Sequence, residues 1–175
     1  LRVWCVYKFM LEGSFLKKKY HPNFPLQTYV LIEIPRGSNL KYEFDEDLKC
    51  YKLDRKLEGG FSFPFNYGYI PNTMGEDGDP LDVVVYLEEP ISPFIALECT
   101  VLGVLDMNDG GKKDYKFICA PTFSAVDSLS SLPDVFLPSC EFFFKNYKKF
   151  FKGDVDVLGV YDQNFALDLL NLSKN

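Results

Sequence analysis

The chain is poor in side chains that several catalytic classes need. Among its 175 residues only His21 is a histidine, so a histidine-rich zinc site is excluded and a Ser-His-Asp triad is not expected. The five cysteines are odd in number, widely spaced and without a C-x-x-C pair. Such a set is typical of reduced thiols and not of a disulfide framework. We therefore expect a cytoplasmic protein whose cysteines are small buried hydrophobic residues.

Long apolar runs, repeats and excess positive charge are also missing. No apolar stretch approaches membrane-spanning length, and no signal-peptide cleavage site follows the N-terminal residues. The formal net charge is −6, whereas a general nucleic-acid binder is usually basic. With 47% hydrophobic residues, the sequence predicts a single well-packed domain over residues 1–175 that binds neither membranes nor nucleic acid.

What is present is acid, concentrated in one turn. The segment Asp77-Gly78-Asp79-Pro80-Leu81-Asp82 places three carboxylates directly before an apolar run. Its glycine and proline disfavour a helix, so we predict a loop that leads into a strand. Carboxylates roughly 5 Å apart repel by about 3 kcal/mol per pair at an effective dielectric of about 20. Either a cation offsets this repulsion or one carboxyl stays protonated. The cation is the simpler explanation, and carboxylates prefer hard ions such as Mg²⁺ or Ca²⁺.

Further acids lie on neighbouring predicted elements. Asp109 and Asp114 bracket a glycine turn and could face the first cluster, although the same pattern is typical of an ordinary hairpin loop. Glu33 interrupts an apolar strand, where an unpaired charge is costly to bury, and Glu43 lies on the next strand. These positions favour a polar cavity that contains cations.

Cationic and hydroxyl donors come from the same elements. Lys41 lies two residues before Glu43 and therefore on the same strand face. The other donors are Arg55, Lys116, Lys148, Tyr67 and Tyr147. A cavity with many carboxylates and several cations suits a polyanion bound through metal ions, because the metals together with Lys and Arg bind phosphate oxygens. The expected reaction class is phosphoryl transfer.

Short strands dominate the middle of the chain. The predicted strands cover residues 29–34, 41–44, 49–53, 83–87, 97–105 and 116–120, and the second and third of them form a hairpin. Strands of this length with regular turns predict a small closed barrel.

The spacing of apolar residues changes from that of strands to that of a helix in the last third of the chain. Over residues 140–152 the apolar side chains recur at the spacing of one helix face, at Phe143, Tyr147, Phe150 and Phe151. We predict an N-cap at Ser139 and a stop at Gly153. A second helix is predicted from Asp162 to about Leu172. The fold class is therefore α+β, a barrel followed by two C-terminal helices.

The order of these motifs resembles that of the soluble family I inorganic pyrophosphatases, in particular the short bacterial-type chains. The resemblance is centred on Phe63–Pro71 and Glu76–Val83. It continues through Ile32–Pro35, Lys41–Glu43, Asp54–Arg55, Gly103–Leu105, Asp109–Lys116 and Phe144–Lys148. It spans about residues 29 to 152, whereas residues 1–28 match poorly. A lone D-x-D-x-x-D would be a weak signal, but this ordered set is specific.

The resemblance implies a closed five-stranded barrel of the oligonucleotide-binding type with helices packed on it. It also implies Mg²⁺-dependent hydrolysis of pyrophosphate to two phosphates by a metal-activated water, with several ions per site and Mn²⁺ as a substitute. The compact bacterial-type members form homohexamers, so a hexamer is expected rather than a dimer.

The resemblance also implies roles for individual residues. Asp79 resembles the general base that takes a proton from the attacking water. The implied metal ligands are Asp77, Asp82 and Asp114 for the tighter ions, Asp109 for an ion arriving with substrate, and Glu33 and Glu43 for further ions. The implied phosphate-binding residues are Lys41, Arg55, Tyr67, Lys116, Tyr147 and Lys148.

The chain departs from the family pattern in two places. Phe63 stands where the family usually has tyrosine, so one hydroxyl on the phosphate side is missing. Lys112 and Lys113 lie in a segment where the family usually has small or acidic residues. They either repel the loosely held metal or point to solvent, and we expect solvent. The alternative functions are a nucleoside polyphosphate hydrolase and a non-catalytic barrel that binds metal or nucleic acid.

Overall fold

A computed structural model describes residues 20–45, 47–48, 50–76, 78–150 and 154–174. The strands in these ranges are β1 (Gln27–Ile34), β2 (Leu40–Asp45), β3 (Cys50–Lys56), β4 (Asn66–Ile70), β5 (Leu81–Val85), β6 (Ala96–Asp109), β7 (Lys112–Lys113), β8 (Lys116–Pro121) and β9 (Val155–Tyr161). The helices are α1 (Phe136–Asn146) and α2 (Gln163–Leu172), and a 3₁₀ turn at Leu129–Ser131 precedes α1. Neither helix has the length and apolar character that crossing a bilayer requires.

Five of the strands close into a barrel. β1 pairs with β4, β4 with β5, β5 with β8, β8 with β6, and β6 returns to β1. The β5–β8 pair is parallel and the other four pairs are antiparallel. β2 and β3 form a separate hairpin, and β7 and β9 each pair with β6. This closed five-stranded barrel with two C-terminal helices confirms the predicted α+β class.

The parallel pair determines where the acidic segments lie. β5 follows the loop that contains Asp79, and β8 follows the β6–β7 hairpin. Because two parallel strands begin at the same edge, both acidic segments reach the same end of the barrel. Asp82 lies directly opposite Lys116 in this pair.

Residues of β5 alternate between two apolar clusters. Val84 packs in a cluster that contains Phe144 of α1. Val83 and Val85 belong to the other cluster, which contains Leu170 of α2. All three valines are fully buried. A strand that is covered on both faces has a continuous apolar sequence, and this explains the run that follows the acidic turn.

The sequence patterns do not predict β4 or β9. Gly68 lies at the centre of β4, and glycine is depleted in strands. A Cβ at this position would lie 1.9 Å from the backbone oxygen of Leu31 in β1. The close approach of the two backbones therefore requires glycine. Because glycine has a low strand propensity, the sequence pattern does not predict β4.

The predicted second helix is confirmed. Asp162 is the N-cap of α2, and its Oδ1 accepts a hydrogen bond of 3.0 Å from the backbone N–H of Phe165. This bond satisfies one of the N–H groups that the first turn leaves without an intrahelical acceptor.

The boundaries predicted for the first helix are wrong. α1 begins at Phe136 and ends at Asn146, because Pro138 is tolerated in the first turn. The Ser139 hydroxyl donates to the Phe136 backbone oxygen at 2.7 Å within the helix and does not cap it. Phe150 lies beyond the helix with 57% of its surface exposed, so it is not part of the apolar face. Residues 151–153, including the expected stop, lie outside the described residues.

Candidate active site

A buried lysine joins the two acidic segments at the end of the barrel. Lys116 is 5% exposed. Its Nζ contacts Oδ2 of Asp82 and lies 2.6 Å from Oδ1 of Asp114. Burial opposes the charge of Lys116, but the charges of Asp82 and Asp114 outweigh it and raise the lysine pKa. The two predicted metal ligands therefore share one buried ammonium group.

Asp109 extends this group of acids. Its carboxylate contacts Nζ of Lys148, which follows α1. Burial raises the pKa of Asp114, and the charges of Asp82 and Asp109 add to this effect against the opposing charge of Lys116. The Asp114 carboxyl is thus harder to ionise than a free one, and a cation bound beside it would favour its ionised form.

Two tyrosines line the same region. The Lys116 Nζ lies 5.9 Å from the ring centroid of Tyr67 in β4, and the Lys148 Nζ lies 5.7 Å from that of Tyr147. Burial raises the pKa of both tyrosine hydroxyls, and nearby carboxylates raise it further. Both hydroxyls therefore stay protonated and remain hydrogen-bond donors at neutral pH.

The β2–β3 hairpin carries a second charged group. Nζ of Lys41 contacts Glu43 and lies 3.6 Å from Oδ2 of Asp54, and Nε of Arg55 lies 2.6 Å from the same oxygen. Burial opposes ionisation of Asp54, but hydrogen bonds and charges from Arg55 and Lys41 outweigh it and lower the pKa. The sequence analysis did not include Asp54 among the candidate site residues, although it lies next to Arg55 and contacts it.

Glu33 connects the hairpin with the acids at the barrel end. Burial raises the pKa of Glu33 to about 8, with the charge of Asp82 as the next cause. Lys41 lowers this pKa and Glu43 raises it. The Glu33 carboxyl is therefore coupled to acids from both groups.

The loop before β5 is described in part. Asp77 lies outside the described residues. Asp79 is exposed, and its backbone oxygen accepts a hydrogen bond of 2.8 Å from the N–H of Gly75. Gly78 has a φ of 93°, a left-handed conformation that glycine adopts without strain. The chain therefore turns sharply just before the predicted base.

The donor chemistry at the barrel end fits a hard divalent cation. Within the described ranges, no three His, Cys, Asp or Glu side chains are arranged to hold a metal ion as they stand, and lysines pair with Asp82, Asp109 and Asp114. The carboxylates nevertheless supply oxygen ligands, and burial, together with the charges of neighbouring carboxylates, raises the pKa of Asp114 and Glu33. Oxygen ligands with shared negative charge are the set that Mg²⁺ and Ca²⁺ prefer.

The two adjacent lysines of β7 differ in their surroundings. Lys112 is exposed. Nζ of Lys113 lies 2.8 and 2.7 Å from the two carboxylate oxygens of Asp106, whose side chain is only 6% exposed. Lys113 is exposed as expected, but it also forms an ion pair that the sequence did not predict. The missed signal was Asp106 itself, an acid within the apolar stretch of β6.

Phe63 belongs to an aromatic cluster next to the site. It is 2% exposed, and its ring centroid lies 4.8 Å from that of Phe143 and 5.6 Å from that of Tyr67. The residue at the family's tyrosine position thus packs against a tyrosine that lines the site.

The barrel and its cluster of acids, lysines and tyrosine hydroxyls define the class of a metal-dependent hydrolase of phosphoric anhydrides. The family model described as inorganic pyrophosphatase matches residues 30–175. The chain belongs to the inorganic pyrophosphatase family. This confirms both the family resemblance and the enzyme class expected from the sequence.

Individual relatives agree with the family match. The inorganic pyrophosphatase of Synechocystis sp. is 41% identical over 145 residues, which cover 81% of this chain and 86% of the relative. That of Halalkalibacterium halodurans is 44% identical over 135 residues, which cover 75% and 82%. The crystal structure of inorganic pyrophosphatase from Thermus thermophilus aligns with a TM-score of 0.84 at 34% identity, covering 89% of this chain and 93% of that one.

Proposed function

We propose that this chain hydrolyses inorganic pyrophosphate to two phosphates with Mg²⁺ as its cofactor, with several ions per site and Mn²⁺ as a substitute. The observation that carries this proposal is Lys116, buried between Asp82 and Asp114. Taking such charges out of water is costly, so the arrangement is poor as a purely structural device. It suits a site where metal ions and a polyanion share these groups.

The metal ligands that we propose are carboxylates from three parts of the chain. Asp77, Asp82, Asp109 and Asp114 would hold the ions nearest the reaction, and Glu33 and Glu43 would hold further ions. Bound Mg²⁺ would lower the pKa of water from about 15.7 toward 7 and offset phosphate charge.

Asp79 is the proposed general base. Its carboxylate would accept a proton from the attacking water and orient that water toward phosphorus. Asp79 follows the sharp turn at Gly78 and is exposed on the loop.

The cations and tyrosines are the proposed phosphate-binding residues. Lys41, Arg55, Lys116 and Lys148 would neutralise the charge that develops on the leaving phosphate. Tyr67 and Tyr147 would donate hydrogen bonds to phosphate oxygens, because burial keeps their hydroxyls protonated. Donors that are already in place need little reorganisation during the reaction.

We also propose the setting in which the enzyme works. The odd, scattered cysteines favour the cytoplasm, and the resemblance to short bacterial-type chains favours a single-domain homo-oligomer, a hexamer rather than a dimer. Exposed aromatic residues such as Phe142 supply apolar surface for subunit contacts. Analytical ultracentrifugation would show a hexamer mass, and a monomer at micromolar concentration would contradict this part of the proposal.

Phosphate release from pyrophosphate tests the function directly. We expect release with Mg²⁺, loss of release with a chelator, and inhibition by fluoride acting on the activated water. A parallel measurement with ATP under Mg²⁺ and under Mn²⁺ tests the alternative of a nucleoside polyphosphate hydrolase. Preference for ATP under both metals would contradict the proposal. The net charge of −6 disfavours the nucleic-acid-binding alternative, which a binding assay with single-stranded DNA would test.

A further inference from the structure

The β6–β7 hairpin and the residue that follows it carry two proposed metal ligands, Asp109 and Asp114. β7 is two residues long, with Lys113 opposite Asn108 and Lys112 opposite Asp109. One more backbone hydrogen bond, from the N–H of Asp114 to the oxygen of Met107 at 2.9 Å, follows the turn. This pairing continues the register in which β8 pairs with β6, where Leu105 lies opposite Lys116. Asp109 also lies opposite Val155 of β9.

The register decides which way the hairpin acids point. Successive side chains of an extended segment point to opposite faces, so Lys113 and Asp114 face opposite sides. Asp114 contacts Lys116 on the site side. A slip of one residue would carry Asp114 to the other face and remove it from the site.

An ion pair joins the two strands on the face opposite to Asp114. Nζ of Lys113 lies 2.8 and 2.7 Å from the two carboxylate oxygens of Asp106, and Asp106 is 4% exposed. The pair links Asp106 in β6, before the turn, with Lys113 in β7, after the turn. The same Nζ lies 5.5 Å from the ring centroid of Tyr115, which adds a second contact on that face.

We propose that the Asp106–Lys113 ion pair is a positioning device that holds Asp109 and Asp114 toward the metal site and thereby sets the affinity for Mg²⁺. This inference rests on the proposed role of Asp109 and Asp114 as metal ligands. If Lys112 and Lys113 acted through their charge alone, both would repel the ion. Removal of either lysine would then strengthen Mg²⁺ binding, so the two roles predict opposite signs for Lys113.

The test compares Lys113→Met with the matched control Lys112→Met, which removes the same charge from the same short strand. Mg²⁺ binding is measured by titration calorimetry without pyrophosphate, beside the Mg²⁺ dependence of phosphate release. We expect Lys113→Met to weaken Mg²⁺ binding about tenfold, the loss typical of residues that orient metal ligands. We expect Lys112→Met to bind as tightly as the wild type or slightly more tightly, and Lys113→Arg to stay within about twofold of it.

A second variant separates positioning from stability. Lys113→Met alone leaves the buried Asp106 carboxylate unpaired and is expected to lower the Tm. The double variant Asp106→Asn/Lys113→Met removes that charge and should recover the Tm, yet it still lacks the ion pair, so Mg²⁺ binding should stay about tenfold weak. Recovery of the Mg²⁺ affinity together with the Tm would overturn the proposal. Tighter Mg²⁺ binding by Lys113→Met would overturn it as well.

Asp109→Asn distinguishes the failure of this inference from failure of the proposed function. A wild-type chain that releases no phosphate from pyrophosphate would overturn the function and the inference together. If the wild type is active and Asp109→Asn weakens Mg²⁺ binding while Lys113→Met does not, only the positioning role is overturned.

Discussion

Two acidic segments meet at one end of the barrel, and they are held in different ways. In the loop before β5, the buried Thr73 hydroxyl donates to the Ile70 oxygen at 2.6 Å and accepts from the Leu81 N–H at 3.0 Å. The hairpin before β8 is held by strand pairing and by the Asp106–Lys113 ion pair. The loop is thus held in place by single hydrogen bonds at its ends, whereas the hairpin is held in place by the pairing of its strands.

The loop also depends on a segment far along the chain. The N–H of Met74 donates to the Ser173 oxygen at 2.9 Å, and Thr73 forms a β-bridge with Lys174. The loop with the proposed base is therefore positioned by contacts with the C-terminal segment, and the proposed hairpin ligands by strand pairing within the sheet. This comparison teaches that the base and these metal ligands can be disturbed separately.

The largest effect is expected at the exposed part of the loop. Asp79→Asn should lower kcat for pyrophosphate about 10²- to 10⁴-fold, the range for loss of a general base, with an unchanged Tm because Asp79 is exposed. Steady-state kinetics at saturating Mg²⁺ measure this. Glu76→Gln, an equal loss of charge in the same loop, is the control and should stay near wild-type activity. Equal turnover by Asp79→Asn and the wild type would remove Asp79 from the mechanism.

Disturbing the hairpin should instead change metal binding. Asp114→Asn is expected to weaken Mg²⁺ binding about 10- to 100-fold, with a smaller loss of kcat once Mg²⁺ is saturating. Titration calorimetry measures the Mg²⁺ affinity, and the Mg²⁺ dependence of the rate gives kcat at saturating Mg²⁺. Asp156→Asn, at an exposed position of β9, is the matched control. A pure kcat effect with unchanged Mg²⁺ affinity would contradict the division between the two segments.

The ends of the loop can be disturbed without touching an acid. Thr73→Val leaves two buried backbone groups unpaired, at a cost of about 1 to 3 kcal/mol in the free energy of unfolding. It should lower kcat by less than Asp79→Asn does and leave Mg²⁺ affinity at the hairpin unchanged. Thr73→Ser keeps the hydroxyl and should restore both quantities.

Thr28→Val is the matched control for Thr73→Val. Thr28 is also buried, but its hydroxyl makes only a long contact of 3.4 Å with the Tyr29 oxygen. Denaturant unfolding and kinetics should therefore show a smaller change. Equal losses at both threonines would show that the loop ends have no special role.

The smallest effect concerns Glu33, which is coupled to both charged groups. Its pKa of about 8 lies above the ordinary value of 4.5, so between these values the folded chain holds a proton that the unfolded chain has released. The free energy of unfolding therefore falls as pH rises through this window and is lowest above pH 8. Glu33→Gln removes this dependence.

The measurement for Glu33 is unfolding in chelator at several pH values. The variant should gain roughly 1 to 2 kcal/mol over the wild type at alkaline pH and little below pH 5. Glu98→Gln, at an exposed position of β6, should show no such trend. If the difference in the free energy of unfolding between Glu33→Gln and the wild type did not grow with pH, the burial of this carboxyl would be contradicted.

The hairpin and the presence of the loop before β5 were predictable from the sequence, but the anchoring of the loop through Thr73 was not. Gly110 and Gly111 mark a two-residue turn, and both have positive φ, 58° and 88°, so the alternation of Asp109 and Asp114 follows from local rules. Thr73 looks like an ordinary loop residue, because its role arises only where it meets Leu81 and a C-terminal segment. Roles of this kind depend on distant partners and carry no local pattern.

The wrong helix boundary and the unpredicted ion pair have the same origin. Pro138 and Ser139 look like the start of a helix or its cap, and only packing shows that the helix begins earlier, at Phe136. Lys113 looks like a solvated lysine until Asp106 is found beside it. The barrel was predictable because short apolar strands and turns are local features.

The single parallel pair of the barrel has a consequence for the order of folding. Asp82 and Lys116 are 34 residues apart in sequence, and the chain between them forms β6 and β7 before β8 returns beside β5. Bringing such distant strands together costs chain entropy before their contacts stabilise anything. A partly refolded chain therefore lacks the assembled candidate site, and a metal ion bound there would stabilise only the chain that has completed the barrel.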